Sequence, residues 1–115
     1  MASPEHALQV ALIRLLDRSC KCIWWAVPNG GLRDIRTAVR LKAEGVTRGV
    51  PDLCFVLDSG RFCGLELKAK KGRLSVEQLA FGTKLLSTGA GWNVAYSLDE
   101  AIDILNNWGA INVRR

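Results

Sequence analysis

The sequence predicts an α/β fold in which a small mixed β-sheet is flanked by helices. Three observations predict it. Apolar runs of strand length at 22–28, 51–57, 61–68 and 92–98 alternate with segments of helical period at 4–18, 34–44, 76–87 and 99–108. Capping residues or glycines punctuate the helical segments. The chain has 115 residues of which 49% are apolar, enough for one domain with a real core and too few for a separate substrate or regulatory module.

The elements follow in order. Ser3 and Pro4 supply a cap and a first-turn residue for a helix over 4–18, with Leu8, Ala11, Leu12 and Leu15 as its apolar stripe. Glu5 falls in its first turn, where a negative charge suits a helix N-terminus. "CIWWAVP", 22–28, has the aromatic and branched content of a buried strand and stops at Pro28, before the turn "NGG". Trp24 and Trp25 are adjacent on it and therefore face opposite sides, so at most one enters this core layer and the other is expected to lie under a helix or meet a partner. Residues 34–44 form a short helix ended by Gly45, and the loop "VTRG" leads to Pro51.

From Pro51 to Leu57 the chain is a continuous apolar strand interrupted only by Asp52, and a turn at "DSG" precedes a second strand from Arg61 to Lys68. A loop of Asp58, Ser59 and Gly60, with Gly60 at positive φ, pairs Leu57 with Arg61 and so places Asp52 opposite Glu66. A two-residue Ser-Gly loop places them on opposite faces instead. Ser75 then caps a helix over 76–87 with Gln78 in a capping-box position, and Gly89 ends it. "WNVAYSL", 92–98, is the last strand. The helix from Asp99 turns Ala101, Ile102, Leu105 and Trp108 inward.

The net charge of +5 is unevenly distributed. Arg33, Arg36, Arg40, Lys42 and Arg48 precede Asp52, and Lys68, Lys70, Lys71 and Arg73 follow Glu66. Such clusters favour a polyanionic partner, nucleic acid first among them. No apolar run approaches the roughly 20 residues needed to cross a bilayer, and the N-terminus lacks the basic and then hydrophobic pattern of a secretory signal, which fits a cytoplasmic protein. Cys20, Cys22, Cys54 and Cys63 lie in or beside strand-like runs without zinc spacing, and the single His6 adds no ligand pattern, so they are expected as free thiols of a reducing compartment.

The chemistry concentrates on one patch. Glu66 and Lys68 are two apart on a strand and share a face, with Asp52 on the neighbouring strand. Hard divalent cations such as magnesium take carboxylate and backbone oxygens and keep several waters, so Asp52, Glu66 and the carbonyl of Leu67 can supply three ligands. A metal-bound water held by Lys68 is then a nucleophile for a phosphodiester, with Lys68 orienting it or stabilising the transition state. The same spacing also suits an ordinary ion-pair cluster at a sheet edge.

"GVPDL" followed by "ELKAKKGRLSVEQ" resembles the VRR-NUC family of the PD-(D/E)xK nuclease superfamily, in particular its small stand-alone phage and prophage members, and the resemblance runs from Glu5 to about Ala95. It implies a restriction-endonuclease-like core, magnesium or manganese on Asp52 and Glu66, Lys68 as the catalytic lysine, and Gln78 at the edge of the site. It also assigns Glu5 to the metal site through water or a second ion. The segment ahead of the Pro-Asp reads Val46-Thr47-Arg48, with Thr47 where the run that names the family has an arginine. Small stand-alone members resemble endonucleases that act as homodimers on branched DNA such as four-way Holliday junctions, and a two-fold pair of sites suits a symmetric substrate. Two other readings stand beside this one. The first is a non-catalytic DNA-binding module on the same fold, for which Lys70, Lys71, Arg73, Arg36 and Arg40 suffice, although two retained carboxylates repel phosphate without benefit to such a module. The second is a small subunit whose charges only solubilise it.

Overall fold

The computed structural model describes residues 3–28 and 34–114. Its elements run α1 (Pro4–Ser19), β1 (Ile23–Ala26), α2 (Ile35–Ala43), β2 (Leu53–Val56), β3 (Phe62–Leu67), α3 (Val76–Ser87), β4 (Gly91–Ala95) and α4 (Leu98–Trp108). The expected order of helices and strands is the observed one, with shorter strands. The strands stand in the order β1-β2-β3-β4; β2 is antiparallel to both β1 and β3, and β3 and β4 are parallel across the α3 connection.

Local chemistry explains the helix starts. The Ser3 hydroxyl accepts from the His6 amide, and Asp34 Oδ1 accepts from the Thr37 amide at 2.7 Å. The capping box at Ser75 is complete, with Gln78 N–H donating to Ser75 Oγ and Ser75 N–H donating to Gln78 Oε1. The last helix starts earlier than its acidic run suggests: Ser97 is the cap and accepts from the Glu100 amide, while Asp99 sits in the first turn.

The β2–β3 turn takes the register that aligns the two acids. Leu57 N–H donates to Arg61 O at 2.9 Å, Gly60 N–H donates to Leu57 O, and Gly60 has φ of 87°. Leu53 consequently pairs with Leu65, and one step further Asp52 stands opposite Glu66.

The core forms between one sheet face and helices α1 and α4. Leu53, Phe55, Cys63, Leu65, Leu67 and Ala95 meet Leu12 and Leu16 of α1 and Ala101, Ile102 and Leu105 of α4. The inward line of α1 is therefore Leu12–Leu16, with Leu8 and Leu15 only partly buried, a small rotation from the expected stripe. Trp24 packs against this core, as does Trp108, whose ring lies 6.1 Å from that of Phe55. Helix α3 covers β4 on the other face, so closely that a Cβ on Gly82 would stand 2.0 Å from the Trp92 ring. Trp25 is not covered by a helix: it remains 43% exposed beside Phe62. No helix among the described residues is long and apolar enough to cross a membrane.

Candidate active site

Asp52 is held by both its neighbours. Its backbone carbonyl accepts from Val27 N–H at 2.9 Å, extending the pairing of β1, and its Oδ2 accepts from Leu67 N–H at 2.8 Å across the end of β3. The aspartate thus ends the β2–β3 ladder with a side chain instead of a backbone group. This sets its carboxylate beside the residue next to last in β3.

That residue, Glu66, is the only buried charged residue among those described, with 0% exposure. Its carboxyl is pushed up to about 8, first by burial, then by the charge of Asp52 and a hydrogen bond with the Asp52 side chain, while the Lys68 ammonium works in the opposite direction. Gln78 Nε2 approaches Glu66 Oε1 at 3.5 Å, and Glu66 Oε2 has no hydrogen-bond partner. An orphaned buried carboxylate oxygen is costly, and a second carboxyl beside it raises the cost. The donor set is hard oxygen, the kind that divalent cations take.

Lys68 follows on the same strand face and is half-buried, with its N–H bonded to Ala95 O at 3.0 Å. Gln78 serves two ends at once: its Oε1 closes the capping box and its Nε2 faces Glu66. The structural role and the proximity to the acids are therefore compatible, because opposite ends of one amide make them.

A recess of about 300 Å³ opens beside the acids. Asp52 and Leu67 form one side, Val27 and Pro28 another, and Glu5, His6 and Gln9 of α1 the third. Glu5 thus reaches the same recess as Asp52. Among the described residues, however, no three His, Cys, Asp or Glu side chains are gathered closely enough to hold a metal by themselves, so Glu5 is a rim residue and not a third member of the carboxylate pair.

The basic residues lie outside the recess. Arg36 and Arg40 are exposed on α2, with Arg40 3.9 Å from Glu44, and Arg48 is exposed and 3.8 Å from Glu77. Exposed pairs at these distances add little stability and leave the guanidinium groups accessible. Lys70, Lys71 and Arg73 are exposed in the connection from β3 to α3. Arg33 lies outside the described residues. All four cysteines are free, Cys54 and Cys63 being buried, and burial pushes the Cys54 thiol up to about 11.

Gln9 is the site-lining residue that sequence reasoning passed over, together with His6. The signal was present. Glu5, Gln9, Leu12 and Leu16 share one helical stripe, and its last two members are 0% and 1% exposed. Where a core-facing stripe turns polar at one end, that end faces something other than core.

No family model matches the chain, and no curated protein matches it. A solved structure described as a "VRR_NUC domain protein" superposes with a TM-score of 0.76 at 18% sequence identity, covering 94% of this chain and 89% of that one. At that identity the likeness concerns the fold. The chain shares the fold of that VRR_NUC domain protein: a small mixed sheet flanked by helices.

Proposed function

We propose that this protein is a metal-dependent endonuclease that hydrolyses DNA phosphodiester bonds, acting as a homodimer on branched DNA such as four-way junctions. The observation that carries the chemistry is the buried Glu66 carboxyl, with one oxygen unpartnered, directly beside Asp52. A merely structural ion-pair cluster neutralises its acids, whereas here a buried Glu66 carboxyl lies against that of Asp52, which lines the recess.

Asp52, Glu66 and the Leu67 carbonyl would hold magnesium or manganese, with Glu5 contributing through water or a second ion. Bound there, the cation supplies charge stabilisation at the phosphoryl oxygens and a water of lowered pKa. The chain's own groups do the positioning. Asp52 is fixed by the Leu67 amide, so its second oxygen keeps a constant direction. Gln78 fixes Glu66 from the helix side. Lys68, on the same strand face as Glu66, orients the attacking water and compensates negative charge that develops on the phosphate. Arg36, Arg40, Arg48, Lys70, Lys71 and Arg73, with Arg33, hold the DNA backbone without reading its sequence.

The branched substrate and the dimer rest on the resemblance in sequence. The exposed Trp25 beside Phe62 is an apolar feature compatible with a second copy. The deciding experiment compares a labelled four-way junction with a linear duplex of the same sequence, in magnesium, manganese and EDTA, for wild type and Lys68→Ala. Metal-dependent cutting of the junction that disappears in the variant is the expected result. Tight binding without cutting under either metal would instead identify a binding module on a nuclease fold.

A further inference from the structure

The elbow between α1 and β1 holds two thiols in contact. Cys20 caps the end of α1 and Cys22 immediately precedes β1, and their sulfurs stand 3.2 Å apart, both half-buried at the edge of the core. The Cys20 thiol also donates to the Cys22 carbonyl at 3.6 Å. We propose that Cys20 and Cys22 form a peroxide-sensitive dithiol, which a hydroperoxide converts to an intrachain disulfide across Lys21 and a small dithiol restores. The inference stands apart from the nuclease reading and adds a modification site. Its place is the joint between α1, which brings Glu5, His6 and Gln9 to the recess, and β1, which leads to Val27 and Pro28 on the neighbouring side.

Three features of the elbow support the chemistry. The first is proximity. Alternate residues of a straight strand stand roughly 6.6 Å apart, so sulfurs in contact require the bend that the chain makes here. A disulfide brings its sulfurs to about 2.05 Å, which asks these two side chains to close by roughly 1 Å.

The second feature is a division of roles. The Cys20 proton points to the Cys22 carbonyl, so the proton between the sulfurs belongs to Cys22. The Cys22 thiol is pushed up to about 12, first by burial, then by its hydrogen bond with Cys20 and the charge of that group, with Asp58 and Cys63 adding to it. Cys22 therefore keeps its proton at neutral pH, which leaves Cys20 as the attacking sulfur. The third feature is isolation. Cys54 and Cys63 are 3% and 0% exposed, and because Cys54 pairs with Gly64 and Cys63 with Phe55, their side chains point to opposite faces of the sheet. An oxidant in solvent meets one pair.

The step balances. The Cys20 thiolate attacks a peroxide oxygen, the O–O bond breaks, and the alkoxide leaves with a solvent proton as an alcohol, giving a Cys20 sulfenic acid. The Cys22 sulfur then attacks the Cys20 sulfur, the S–O bond breaks, and hydroxide leaves with the Cys22 proton as water. The two sulfurs are oxidised by two electrons and the peroxide is reduced by two.

The test treats the folded full chain, reduced and desalted, with tert-butyl hydroperoxide, caps the remaining thiols with N-ethylmaleimide and digests with trypsin. Lys21 lies between the cysteines, so trypsin separates them unless a disulfide joins their peptides. The expected result is one joined pair of peptides and a halved thiol titre in denaturant, both reversed by dithiothreitol. Cys22→Ser should stop at a Cys20 sulfenic acid that dimedone traps, and Cys20→Ser should slow peroxide-driven thiol loss by about tenfold or more. A full thiol titre in the oxidised wild type overturns the proposal. Cys20 carried on to sulfinic acid without a bridge also overturns it, because contact then fails to let Cys22 capture the intermediate. A bridge to Cys54, to Cys63 or to a second copy overturns the assignment to the elbow, and Cys20→Ser reacting as fast as wild type overturns the division of roles.

Discussion

The β2–β3 hairpin and the α2 arm are successive parts of one chain and are built on opposite principles. In the hairpin, Leu53, Phe55, Cys63, Leu65 and Glu66 are all at 0% exposure, and Asp52 is tied to both neighbouring strands. In α2 no residue is buried, and Ile35 and Val39 stand 82% and 63% exposed. A helix this short is marginal by itself, and it relies on the Asp34 cap and on the spacing of Arg40 and Glu44. The hairpin holds the acids rigidly, and the arm presents Arg36 and Arg40 to solvent. Side chains on the hairpin are held where packing overdetermines them, and those on the arm stand where little constrains them.

The largest expected effect lies in the hairpin. Asp52→Asn should lower metal-dependent cleavage on the order of a thousandfold while DNA binding is kept or strengthened, because the substitution removes a ligand and a repulsive charge together. Cleavage kinetics and a gel-shift titration on the same preparation measure both halves. Undiminished turnover would show that the tightly held carboxylate is only structural.

Next comes the acid-base behaviour of the buried pair. Glu66 is pushed up to about 8 from an ordinary 4.5 by burial and Asp52, so between those values the folded chain binds more protons than the unfolded chain. Stability of the metal-free protein should therefore fall as pH rises from about 4.5 to about 8, by on the order of a few kcal/mol. Urea unfolding in EDTA at pH 5 and pH 8 reads the slope. Glu66→Gln should level it, and magnesium should restore stability to the wild type at pH 8 but not to the variant. A wild type with no slope would mean that Glu66 ionises as freely as a surface acid.

Gly82→Ala probes the packing on the far face of the same sheet. The added methyl meets the rigid Trp92 ring, and a cost of about 1–3 kcal/mol in unfolding free energy is expected. The smallest effect belongs to the arm: Ile35→Ser with Val39→Ser should change monomer stability by less than about 0.5 kcal/mol. If that double variant instead lowers the melting temperature in a way that depends on protein concentration, the arm's apolar flank is covered in an assembly and the contrast with the hairpin is a property of the isolated chain alone.

Much of this was legible in the sequence because it is local. Helix starts follow from Ser3, Asp34 and Ser75, whose side chains bond amides only three residues away. The alignment of Asp52 with Glu66 was one of two registers that the loop residues allowed, and Gly60 at positive φ takes it. The likeness of "GVPDL" and "ELKAKKG" to a nuclease motif extended that reading to an architecture, and the fold agrees with it.

Other features depended on which surfaces meet, and only the tertiary structure decided them. The sequence contained Glu66 but not its complete burial, which requires β3 to lie between β2 and β4 beneath α3. It contained Gln78 as a cap but not the second use of its amide, which requires α3 to start beside the carboxyl. It left Trp24 and Trp25 interchangeable until the core chose Trp24. The sequence by itself determined the elements and their order and narrowed the pairing of the acids to two registers, since backbone geometry and capping act over a few residues. The tertiary structure decided the desolvation of Glu66, the reach of α1 to the recess and the exposure of the α2 arm, since burial and electrostatic environment are set by neighbours distant in the chain.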